Sequence, residues 1–202
     1  MNDSIAVDLA CLLPSEVRAV VGGMNATLLQ QQASGFRLDE LHLPHITLVQ
    51  QCIPRSALDD VVAAAGTVIA AFSPLELRAE HTQQGRATSH LVIEPDPELQ
   101  GMHEQLLEAL APFAQGEVEA SAFHDGGEPP RPQDVEWVRA FKSSASGEAF
   151  FPHVTLGVGP PPTLEQGLSF AVDHLALCRL GRFCTCRVPL FEWRLASSPP
   201  VR

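Results

Sequence analysis

The chain has 202 residues, 45% of them apolar, and a formal net charge of −11. That length bounds it to one large domain or two small lobes around a proper core. No apolar run reaches the about 18 residues of a membrane span, and the acidity argues against a protein that grips long nucleic acid through a basic surface.

The charge is uneven. Five basic residues (Arg179, Arg182, Arg187, Arg194, Arg202) and two acidic ones (Asp173, Glu192) lie from Phe170 onward, so a local basic strip could still meet a phosphate. Twelve of the 13 basic residues are Arg, and Lys142 is the single lysine. The start, Met1-Asn2-Asp3-Ser4, has no basic residues of a secretory signal. Five scattered cysteines read as reduced thiols in a cytoplasmic protein, and with no apolar run of spanning length no membrane partner is expected. Cys184-Thr185-Cys186 lacks the C-x-x-C pairs of a zinc site.

In chain order, Ser4 to Leu9 alternates apolar and polar and predicts a strand. After Pro14, Val17, Val20, Val21, Met24 and Leu28 fall at helical spacing. Ile46 to Val49 is β-rich, Arg55 to Phe72 is helical, and Leu75 to Thr82 is a strand. His90 to Glu94 starts the order again. Asp96 caps a helix with Pro97 at its first position, and Leu99, Met102, Leu106 and Leu110 mark its face. A short helical stretch is expected near Thr163 to Leu168, a strand over Phe170 to Leu180, and closing strands from Phe183 to Leu195. The chain thus reads as two repeats, about 4–84 and 88–195. A loop insertion at about 123–147 is rich in Pro and Gly at its start and polar at its end.

One motif occurs twice, at Leu43-Pro44-His45-Ile46-Thr47-Leu48 and Phe151-Pro152-His153-Val154-Thr155-Leu156. In an extended strand His45 and Thr47 share one face, as do His153 and Thr155, while Ile46 and Val154 point to the core. Core packing does not explain why the polar pair is the repeated feature. If the halves pack about a pseudo-two-fold axis, the His-Thr pairs face each other. Imidazole titrates near pH 6.5, so one neutral and one protonated ring can coexist. The neutral ring could activate water, the imidazolium could protonate a leaving alkoxide, and the hydroxyls could hold a phosphate between them.

Two His-x-Thr-hydrophobic motifs about a hundred residues apart resemble the 2H phosphoesterase superfamily, and within it the LigT-like 2′-5′ RNA ligase / cyclic phosphodiesterase group. The resemblance implies a bilobal, duplicated α+β fold spanning 1–202. Two antiparallel sheets with outer helices would flank a central cleft. It implies His45 and His153 as catalytic residues, Thr47 and Thr155 as phosphate-binding residues, no metal and no cofactor. The activity implied is hydrolysis of a 2′,3′-cyclic phosphate; the strong acidity and single lysine depart from RNA-handling relatives and point to a small nucleotide or short RNA end as partner, and a monomer is expected. The alternative is a non-catalytic nucleotide- or RNA-end-binding protein with the same cleft. A metal hydrolase built on His42, His45 and His153 finds few acidic ligands nearby.

Other residues receive plainer readings. His90 and His174 could line the cleft but are expected in packing or at the surface, and His81, His103 and His124 at the surface. Phe150 or Phe151 could stack a base, and Trp137 and Trp193 are expected to be structural. Arg86, Arg139, Lys142, Arg179 and Arg187 are the candidates for phosphate contact.

Overall fold

The computed structural model describes residues 3–196; Arg202, counted in the basic strip, lies outside them. Its elements run β1 (Ser4–Leu12), α1 (Ser15–Gln31), β2 (His45–Pro54), α2 (Leu58–Ile69), β3 (Leu75–Gln84), β4 (Ser89–Ile93), α3 (Pro97–Leu110), α4 (Pro132–Ser144), β5 (His153–Gly157), β6 (Leu168–Val172), β7 (His174–Leu180) and β8 (Cys186–Arg194).

The class is α+β with antiparallel pairing, but the strands form one sheet rather than the two expected. Its order is β6-β3-β4-β5-β2-β1-β7-β8. The joint is the pairing of the two motif strands, Ile46 opposite Val154, which welds four strands on either side. Neighbours in the sheet do not follow chain order. β3 lies between β4 and β6, while β7 lies between β1 and β8. The expected single strand over Phe170 to Leu180 is therefore two, interrupted at Asp173 and sent to opposite ends of the sheet. No helix forms over 163–168, where the backbone is irregular after Pro160, Pro161 and Pro162.

One face of the sheet carries the main core. Ile46, Leu48, Leu91, Val154 and Leu156 pack there against Val17, Val21 and Leu28 of α1, Val61, Ala65 and Ile69 of α2, and Leu99, Met102 and Leu106 of α3. These helix residues recur at three- and four-residue spacing, so each helix offers one apolar stripe. Asp96 caps α3 by accepting from the Leu99 amide at 2.8 Å.

The other face is partly covered by α4, which the loop-like composition of 123–147 conceals. Val138 joins Val118, Ala122 and Phe123 over Ala6, Cys52 and Leu180. Pro132 opens α4, where its missing N–H costs nothing. The buried Asp134 carboxylate accepts from the amides of Arg131 and Phe183, at 2.8 and 3.0 Å. It thereby holds Phe183 and Cys184 in left-handed conformations, φ 62° and 52°, that side chains other than glycine seldom adopt.

Candidate active site

β2 and β5 place the four motif side chains together. Ile46 pairs with Val154 and both are fully buried on the core face. One residue out along the antiparallel register, His45 comes opposite Thr155 and Thr47 opposite His153. All four are half-buried and lie on the face away from Ile46 and Val154. The histidines stand diagonally across the Ile46–Val154 pair.

Each motif ends in the same irregularity. Pairing jumps from Leu9–Val49 to Ala10–Thr47, so Leu48 is an extra residue in β2. It also jumps from Ser89–Gly157 to His90–Thr155, so Leu156 is an extra residue in β5. Both are β-bulges, which re-aim the side chains beyond them. In β2 the bulge returns Gln50 to the face of Thr47, although the two are three residues apart. Both reach Asp8 of β1: the Thr47 hydroxyl and the Gln50 amide each donate to Asp8 Oδ2 at 2.7 Å. Gln50 Oε1 in turn accepts from the Trp137 indole of α4 at 3.0 Å.

The two imidazoles are held alike at one nitrogen. His45 Nδ1 contacts the Leu43 carbonyl at 2.7 Å and His153 Nδ1 contacts the Phe151 carbonyl at 2.7 Å. A carbonyl can only accept, so both Nδ1 atoms carry hydrogen and each Nε2 is left for chemistry.

Their other surroundings differ. His45 Nε2 lies 3.3 Å from Asp8 Oδ2, so both of its nitrogens face acceptors. Burial favours the neutral ring, but the bond and charge of Asp8 outweigh it, and the His45 pKa is raised. Among the described residues, no carboxylate pairs with His153. Its ring packs 4.1 Å from that of His90, the cross-strand partner of Thr155, and 5.3 Å from Phe151. Burial first, then the neighbouring His90, lowers the His153 pKa to about 4. His90 is itself fixed by Thr88, whose hydroxyl lies 2.9 Å from His90 Nε2. By register His90 matches Ala10, and Thr88 matches Asp8. One motif is therefore backed by a carboxylate and the other by a third imidazole.

Asp8 and Gln50 are the residues that sequence reasoning missed, whereas His90, named there as able to line the cleft but favoured as packing or surface, packs on His153. Asp8 falls on the polar phase of an alternating strand, the phase that ordinarily meets solvent, yet it is fully buried. Gln50 reaches the site by way of the bulge. The remaining candidates are engaged with other partners or are exposed. His42 bonds Asp39 at 2.8 Å and faces Glu128 at 3.5 Å. His103, expected at the surface, is fully buried, its ring bound to the Leu48 carbonyl and stacked on Phe150 at 4.0 Å. Arg179 donates to the carbonyls of Ala122 and Phe123, Arg139 pairs with Glu136, and Arg187 pairs with Glu128. Arg86 and Lys142 are exposed.

Two exposed aromatic side chains flank the four residues: Phe151, 43% exposed beside His153, and Trp137, 45% exposed beyond Gln50. A cavity of about 690 Å³ lies elsewhere, lined by Phe36, Arg37, His42, Glu128 and Phe183 among others, and includes none of the four.

A family model described as the 2′-5′ RNA ligase superfamily matches residues 14–182. No curated protein matches the chain. Among solved structures, TT0787 of Thermus thermophilus is similar at 17% identity and TM-score 0.68, over 96% of this chain and 100% of that one. Escherichia coli LigT in apo form is similar at 19% identity and TM-score 0.58, over 96% and 99%. LigT complexed with 3′-AMP gives 18% identity and TM-score 0.56 over the same shares. At these identities the likeness is one of fold.

Proposed function

The chain belongs to the 2′-5′ RNA ligase superfamily, and from that premise we propose that it is a metal-independent phosphodiesterase opening 2′,3′-cyclic phosphates of nucleotides or short RNA ends. One observation carries this reading. His45 and His153 stand diagonally about one point with opposite proton inventories, His45 facing acceptors at both nitrogens and His153 at Nδ1 alone.

The roles follow from those inventories. A cyclic phosphate sits over the Ile46–Val154 pair. His153 Nε2 has a lone pair and takes a proton from water as the water oxygen attacks phosphorus. His45 gives its Nε2 proton to the ribose oxygen that leaves, and the product is a phosphomonoester. Water supplies both the new P–O bond and the net proton, so no ion is needed to balance the step. The Thr155 hydroxyl makes no side-chain hydrogen bond among the described residues and can donate to the phosphate. The Thr47 hydroxyl already donates to Asp8 and must rotate to reach a phosphate.

Phe151 and Trp137 offer apolar faces on which a base can stack. The solved complexes of LigT with 3′-AMP and with ATP support a nucleotide as the ligand class. The charge of −11 favours a small ligand or an RNA terminus over a long strand. All four motif residues come from one chain, which suits a monomer. The five free cysteines suit a reducing cytoplasm.

The test is hydrolysis of 2′,3′-cyclic nucleotides with chelator present. Activity is expected to persist in chelator and to fall about 10²- to 10⁴-fold in His45→Ala and in His153→Ala, the scale of a lost general acid or base. Full activity in either variant overturns the mechanism. Nucleotide binding without turnover of any cyclic phosphate favours the non-catalytic alternative.

A further inference from the structure

Cys186 of β8 lies against the motif that Asp8 supports. Leu43, whose carbonyl holds His45, is bridged to Cys186, and the Leu43 amide donates to the Cys186 carbonyl at 3.0 Å. One donor atom each from Asp8, His45 and Cys186 lie within 4.8 Å of one another. Asp8 and Cys186 are fully buried. Asp8 Oδ1 is, among the described residues, the buried side-chain oxygen left with no hydrogen-bond partner. A buried carboxylate with one oxygen unpaired is costly, and a cation held by that carboxylate, here through Oδ2, offsets the cost.

We propose that Asp8, His45 and Cys186 form an inhibitory site for a thiophilic divalent cation, with zinc as the ion whose preferences they match. A carboxylate oxygen, an imidazole nitrogen and a thiolate are all zinc donors. Asp8 Oδ2 and His45 Nε2 are 3.3 Å apart. Two ligands about 2.1 Å from a tetrahedral ion are about 3.4 Å apart, so this pair is already at coordinating separation. His45 Nδ1 is held by a carbonyl, the outer partner that metal-bound histidines carry. Cys178, the cross-strand partner of Asp8, is a further fully buried thiol on the neighbouring strand. Coordination sends the thiol proton of Cys186 and the Nε2 proton of His45 to solvent. His45 then has no proton for a leaving group, so the bound ion stops the reaction. This consequence rests on the acid role given to His45 above; the binding site itself does not.

The experiment uses two readouts on the whole chain and on Cys186→Ser and Cys186→Ala, each first checked for an unchanged melting transition. Cobalt(II) serves as a spectroscopic probe. Wild type is expected to bind one equivalent with a thiolate-to-cobalt charge-transfer band that both variants lack. Zinc is expected to inhibit wild-type hydrolysis reversibly. The variants should keep basal turnover and need more than about tenfold more zinc, since even outer-shell changes act on that scale. Absence of the charge-transfer band in wild type overturns the proposal, as does equal zinc inhibition of the variants. If one variant fails to fold, the other carries the comparison. If the chain hydrolyses no cyclic phosphate, the cobalt band alone decides, so failure of the site and failure of the enzymatic reading are distinguishable.

Discussion

Ile46 and Val154 pair across β2 and β5, and both are fully buried. This apolar pair sets the geometry of the polar face above it, because alternation along each strand puts a His and a Thr on either side. The two motifs are therefore locally alike in backbone, bulge and Nδ1 hydrogen bond. They differ in what β1 and β4 bring alongside. Asp8 favours a charged His45, whereas His90 opposes a charged His153. A symmetric frame with asymmetric neighbours is one way to separate an acid from a base.

The hydroxyls should separate too. The Thr155 hydroxyl is available to donate to a phosphate, and a hydrogen bond to a charged group is worth about 1.5–3 kcal/mol. Thr155→Val is expected to lower kcat/KM for a cyclic nucleotide by about 10- to 100-fold at that energy, and Thr155→Ser to recover most of it. An unchanged kcat/KM in the valine variant removes Thr155 from the phosphate site.

On the proposed mechanism, His153 as the base should set the acid side of the pH profile. Its pKa lies near 4, lowered by burial and then by His90. The base form is thus present above about pH 4 and lost below it. The acid limb of kcat/KM is expected near 4 and should move upward in His90→Asn, with little change on the plateau. The same shift bears on stability. The unfolded ring takes a proton near 6.5, so the fold loses stability as pH falls from about 6.5 to about 4. Urea unfolding at pH 5 and 7 should differ less in His153→Gln than in wild type. An acid limb unmoved by the His90 substitution breaks this assignment.

Much of this frame is legible in the sequence. Period-two alternation correctly places His45 with Thr47 and His153 with Thr155, and the helices with clean apolar stripes stand out. What stays hidden depends on pairing between distant segments. The bulges at Leu48 and Leu156 carry no Gly or Pro at the extra residue, so nothing local announces that Gln50 rejoins the face of Thr47. Asp8 looks like the solvent phase of a strand because the cover over it comes from elsewhere in the chain. α4 is masked by the prolines around it. Yet Pro132 at the first turn, with Val138 and Phe141 buried three residues apart, is the signal that could have revealed it. The two-sheet expectation fails on one bridge, since only contact between the motif strands decides whether two sheets are one.

On the proposed mechanism, Asp8 should matter although it is not one of the four motif residues. It accepts from Thr47 and Gln50 and faces His45 Nε2. Asp8→Asn keeps the shape but replaces an acceptor-only group with one that also donates. With chelator present, kcat/KM is expected to fall by about two orders of magnitude or more, as when an orienting carboxylate is lost from another histidine catalyst. The alkaline limb should move to lower pH, because His45 loses the charge that raises its pKa. Loss of activity without movement of that limb would make Asp8 a packing residue only.

Asn25 anchors the second motif from the core side. It is buried in α1, where its amide donates to the carbonyls of Phe36 and Leu156 at 2.9 and 2.8 Å. Its Oδ1 accepts from the Leu38 amide at 2.9 Å. One side chain thus ties α1, the segment leading to the first motif and the bulged Leu156 of the second. Asn25→Ala leaves two carbonyls and an amide without these partners, each loss costing about 1 kcal/mol or more. A destabilisation of about 2–4 kcal/mol is expected from urea unfolding, a large part of the about 5–15 kcal/mol that holds a domain folded. Asn25→Asp should fare little better, because a carboxylate cannot donate to either carbonyl. Because Leu156 sits at the bulge beside Thr155, turnover of the folded variant should fall as well. A loss of stability with kcat unchanged would place Asn25 in the fold alone.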